Sequence, residues 1–64
     1  MKTGKIISKM EDRGFGFIRA GGKEYFFHSS QCDTPFEDLT VNNEVEFNVE
    51  DSPKGARAVD VVRV

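Results

Sequence analysis

The chain of 64 residues holds one cysteine, one histidine and no tryptophan. A lone Cys32 cannot close an internal disulfide, and with a single His28 it falls short of the four ligands of a structural zinc site, so no metal is expected. Stability must come from packing, in a chain near the lower size at which a domain stands without staples. No apolar run approaches the roughly 18 residues of a membrane span, and the start "MKTGKIISKMEDRG" lacks the apolar core of a signal peptide. The expectation is one soluble, monomeric, cytoplasmic domain over residues 1–64 with no membrane partner, its free thiol suiting a reducing compartment.

Positive charge is missing from the middle of the chain. Between Glu24 and Asp51 there are eight acidic residues and no basic one, whereas six basic residues precede Glu24 and Lys54, Arg57 and Arg63 follow Asp51. The net charge of -2 therefore hides two basic ends. If the ends meet in the fold, a basic face forms on an acidic protein, and local potential governs phosphate binding.

Helical periodicity is also missing. Five segments alternate with a period of two: Lys5 to Met10, Phe15 to Arg19, Glu24 to His28, Glu44 to Glu50 and Ala56 to Val64. Turn signals such as "AGGK", "VNNE" and "DSPKG" separate them, and "QCDTPFEDL" is the one long connection, its Pro35 arguing against a central strand. The fold class is all-β, and five short antiparallel strands at this length bury a core most economically as a closed barrel without edges. In "EVEFNVE", parity sends Val45, Phe47 and Val49 to the core and the glutamates to solvent. "AVDVVRV" has apolar residues on both parities and does not resolve.

The stretch "RGFGFIR" is decided by the same parity. Phe15, Phe17 and Arg19 share one face, Gly14, Gly16 and Ile18 the other, and only one face of a barrel strand points inward. Burying the phenylalanines would draw Arg19 in beside them, whereas burying Ile18 lets the glycines admit close backbone packing and turns both rings outward. In "EYFFH", burying Tyr25 and Phe27 leaves Phe26 and His28 outside. Such an aromatic cluster needs a partner. Nucleic acid bases stack on rings with little regard to sequence, and Lys5, Lys9, Arg13, Arg19 and Lys23 lie in the same part of the chain to attract phosphate.

These residues carry a resemblance to the bacterial cold-shock domain over nearly the whole length. "RGFGFI" is similar to that family's first ribonucleoprotein motif, "YFFHSS" to its second, and "EVEFNVEDSPKGARAVDV" to its fourth strand, loop and fifth strand. The resemblance implies a five-stranded OB-fold barrel that binds single-stranded RNA or DNA, without catalysis, cofactor or small-molecule substrate, in a role such as RNA chaperone or regulator of expression. It maps base-stacking positions onto Phe15, Phe17, Phe26 and His28, a loop aromatic onto Phe36, and basic contacts onto Arg13 and Lys54, with Lys5, Lys9, Arg19 and Arg57 completing the expected set. The chain departs from the family where Ser8 replaces a tryptophan, Lys9 a phenylalanine and Ser29 a further phenylalanine. If Ser8 lies at the binding face, strict alternation must be broken by a bulge.

Two other readings exist. A histidine beside hydroxyls and a thiol, in His28, Ser29, Ser30 and Cys32, could serve as a general base, but neighbouring strand residues point to opposite faces and no carboxylate is placed to orient the ring. The second is a protein-interaction barrel whose aromatic face has turned from bases to a protein partner.

Overall fold

The computed structural model describes all residues, 1–64. Five strands carry the fold: β1 (Lys2–Met10), β2 (Phe15–Ala20), β3 (Lys23–His28), β4 (Glu44–Ser52) and β5 (Gly55–Arg63). They close into a barrel in the order β1-β2-β3-β5-β4. Two 3-10 turns, Ser29–Gln31 and Phe36–Asp38, occupy the long connection where Pro35 excluded a strand. No helix is long and apolar enough to cross a membrane.

The all-β barrel agrees with the periodicity. Four pairings are antiparallel, and the closing contact between β3 and β5 runs parallel, Phe26 opposite Arg57 and Phe27 opposite Ala58. The reason is one of counting. Directions cannot alternate all the way round a ring with an odd number of strands, so one neighbouring pair must run the same way.

Ile6, Ile18, Tyr25, Phe27, Leu39, Val45, Phe47, Ala58 and Val61 form the core. This is the inward parity expected for β2 and β3. Gly16 is buried with them, because a Cβ there would sit 2.8 Å from the Phe27 ring. Any larger residue would push β2 off the ring that fills the barrel.

Two bulges correct strict alternation. In β1, Ile6 lies opposite Ile18 but Ser8 lies opposite Phe17, so Ile7 is the extra residue and Ser8 turns to the outer face. Between β4 and β5, Glu46 pairs with Val62 and Asn48 with Val59, leaving Asp60 and Val61 against Phe47 alone. Asp60 takes the extra turn at φ 55°, held by a 3.2 Å hydrogen bond from Asn48. That resolves "AVDVVRV": Ala58 points inward before the bulge and Val61 after it. Val49 does not join the core; it is 38% exposed. Beyond Phe47 the β1 pairing has ended, so β4 continues only as a hairpin arm with β5, and Val49 has no opposing layer to enter.

Candidate nucleic-acid interface

Register arranges the outer face of β1, β2 and β3 in rows. Met10, Phe15 and His28 are paired across the first, and Ser8, Phe17 and Phe26 across the second. Arg57 of β5 continues the second row through its parallel pairing with Phe26. Lys5, Arg19 and Glu24 form the third.

The rings of Phe15, Phe17 and Phe26 make one cluster, with centroids 5.4 to 6.2 Å apart. All three are half-buried against one another and open on the outer side. His28 is exposed beside them, its orientation fixed because Nδ1 accepts a 3.1 Å hydrogen bond from the Ser30 backbone N–H. The neutral ring then carries its proton at Nε2, available to a ligand.

Cations surround this cluster at different readiness. Arg13 is exposed in the loop between β1 and β2, and Lys5 is exposed on the third row. Arg19 donates to Glu24 at 2.8 Å, and Arg57 donates to Glu50 through Nε at 3.0 Å and through its terminal nitrogen. A phosphate reaching either arginine competes with a carboxylate already in place. Lys54 lines a recess of about 410 Å³ with Phe26, Ser52, Gly55, Ala56 and Arg57, which brings the basic end of the chain to the edge of the aromatic cluster.

Lys9 and Phe36 stand apart from this face. Lys9 pairs with the inward-facing Gly16, and its side chain is only 6% exposed. The ammonium donates to the Leu39 carbonyl, meets Glu11 at 3.2 Å and lies 4.6 Å from the centre of the Phe36 ring. It is therefore committed within the protein, in contrast to the phosphate contact expected of it. Phe36 packs against Phe27 at 6.0 Å, at the end of the barrel that Leu39 plugs. Lys23 also leaves the outer face, sharing the inward parity of Tyr25. Met10 is the face residue that sequence reasoning passed over; carrying the β1 bulge two residues further would have found it.

Cys32 is half-buried, and burial first, then the Asp33 carboxylate, pushes its thiol up to about 11. At neutral pH it is a packed, protonated side chain. Against an ordinary cysteine near 9, its thiolate fraction is about a hundredfold lower, offset in part by the greater nucleophilicity of a more basic thiolate. Reaction with a disulfide reagent at pH 7.5 is expected to run about tenfold slower than for a free thiol and to keep accelerating up to about pH 11. A plateau near pH 9 would show the thiol to be unperturbed.

The family description "'Cold-shock' DNA-binding domain" matches residues 2–64. The chain is similar to the cold shock-like protein CspI of Escherichia coli strain K12, 48% identical over 63 residues that cover 94% of this chain and 90% of that protein. The cold shock-like protein CspJ of Salmonella typhimurium strain SL1344 is likewise 48% identical over 63 residues, with the same coverage of both chains. The cold shock-like protein CspE of Bacillus anthracis is 39% identical over 64 residues, covering 97% of this chain and 96% of its own. A whole-length match and a closed five-stranded barrel lead to one conclusion: the chain belongs to the cold-shock domain family and is a nucleic-acid-binding protein of the cold-shock type.

Proposed function

We propose that the protein binds single-stranded RNA or DNA with little dependence on sequence, stacking bases on Phe15, Phe17, Phe26 and His28. The observation that carries this reading is the outward cluster of three phenylalanines, with cations at its edges and space above it. Lys5 and Arg13 meet phosphate directly, Lys54 does so across the recess beside Phe26, and Arg57 and Arg19 do so after releasing Glu50 and Glu24. Lys9 holds the loop that presents Phe36 at the barrel end. A duplex keeps its bases stacked inside and cannot use the rings, so single strands bind more tightly. Melting out secondary structure by trapping unstacked strands, the work of an RNA chaperone, follows from that preference.

The test is a titration with short single-stranded RNA, single-stranded DNA and duplex of matched length at several salt concentrations. Affinity should fall with rising salt on a shallow slope, since at most five cations are placed to displace counterions. Equal binding of duplex and single strand would sink the stacking model.

Ser8 stands on the second row beside Phe17, at the position the bulge turns outward. A ring there extends the platform by one place. Ser8→Trp should tighten binding of a single strand by about 1 kcal/mol, less than a full stacking contact because an exposed ring must be ordered. It also adds a fluorophore that bound bases quench. Normal folding with neither tighter binding nor quenching would favour a protein partner for this face.

A further inference from the structure

Three lysines share the inward parity of the barrel wall, and they meet different fates. Lys9, at one end, is satisfied by Leu39, Glu11 and Phe36. Lys2 and Lys23 lie at the other end. Lys2 precedes Gly4 and Ile6 on the inward side of β1, and Lys23 precedes Tyr25 and Phe27 on the inward side of β3. No long loop plugs this mouth. The β2–β3 turn is Gly21–Gly22, both at positive φ, with open space where side chains would stand.

We propose that this mouth is a binding site for a phosphate group, separate from the aromatic face. Lys2, Thr3, Ala20, Gly21, Lys23 and Tyr25 enclose a recess of about 360 Å³. No carboxylate lines it, and none of the three ion pairs in the protein involves Lys2 or Lys23. Tyr25 is 6% exposed, its ring packed on Phe47, and it lines the floor of the recess. Lys2 and Lys23 both line the recess, so its potential is positive and an anion entering it is attracted by both. A phosphate dianion meets both, and accepts from the phenol as well. A carboxylate offers fewer acceptor oxygens and half the charge, so phosphate is the better match. The mouths of barrels are common places for small ligands, and this one carries two lysines and a threonine.

The phosphate has two possible sources, a terminal phosphate of an oligonucleotide or free inorganic phosphate. Backbone amide signals followed by NMR at constant ionic strength separate them. Inorganic phosphate replacing chloride should give saturable shifts at Thr3, Gly21, Gly22 and Lys23. Lys2→Gln with Lys23→Gln should weaken that saturation by about tenfold or more, as loss of two charge-assisted contacts implies. Tyr25→Phe, which keeps the core ring, should weaken it less but measurably. Shifts that rise linearly, or that survive unchanged in the double variant, overturn the site. With saturation established, tighter binding of a 5′- or 3′-phosphorylated oligonucleotide than of its hydroxyl-ended form assigns the terminus as the source, and equal binding assigns the free ion. Failure here leaves the aromatic face untouched, because the double variant removes none of its rings or cations.

Discussion

Phe47→Ala should lower stability by about 3 to 5 kcal/mol, the range for deleting a large aromatic from a packed core. A domain of this size holds only about 3 to 10 kcal/mol in total, so a large fraction of the variant should be unfolded at room temperature. Phe47 is fully buried, rests on Tyr25 at 5.4 Å and sits where the β5 bulge sets two residues against it. Its removal leaves a void that β4 cannot close, because the strand is fixed there on both sides. Phe17→Ala provides the contrast. Phe17 is half-exposed, outside the buried core, and packs against the two other rings of the cluster, so its loss should change stability by about 1 kcal/mol, little more than an aromatic pair contributes. Val49→Ala should be close to silent, the side chain being already open to solvent. Thermal melts decide, since each kcal/mol moves the midpoint by about 4 to 8 °C in a domain this small. A Phe17→Ala midpoint as low as that of Phe47→Ala would show the two faces to be assigned the wrong way round.

What could be read from the chain beforehand was whatever a period of two controls. Ile18, on the same face as Gly14 and Gly16, and Tyr25 and Phe27 flanking Phe26, admitted one low-energy orientation each, and the barrel adopts it. Parity fails where the pairing slips. The inward turn of Val61 and the outward turn of Ser8 both depend on an extra residue in one strand, which local alternation cannot reveal. Ser8 was suspected only because a resemblance placed it at the face. Val49 misled for a different reason: its parity is that of a core residue, but β4 outruns the strand that would have covered it. Lys9 shows the limit of reading charge along a sequence. Among basic neighbours it looked like one more phosphate contact, yet it lies on the inner parity, where an ammonium must find partners, and the Leu39 carbonyl and the Phe36 ring come from a loop some thirty residues away.

The cluster itself bears the largest expected effect on binding. Alanine at Phe15, Phe17 or Phe26 should each weaken single-strand binding by about 1 to 3 kcal/mol, the contribution of one base stacked on one ring. The three losses should not add. Phe15 and Phe26 are 5.4 Å apart and each also contacts Phe17, so every ring holds its neighbours in the orientation that a base meets. Taking away Phe26 frees the other two to turn, and part of their contribution goes with it. A cycle of Phe15→Ala, Phe26→Ala and the pair should therefore return a coupling of about 0.5 kcal/mol or more, as for residues in direct contact. Lys54→Gln, by contrast, should reduce affinity uniformly across sequences and flatten the salt dependence, the behaviour of a phosphate contact. The triple alanine variant retains the whole buried core and should still melt cooperatively, so its binding can be measured on a folded protein. If that variant melts normally and binds single strands as well as the parent does, bases are not received on these rings, and the exposed cluster is the docking surface of a protein partner instead.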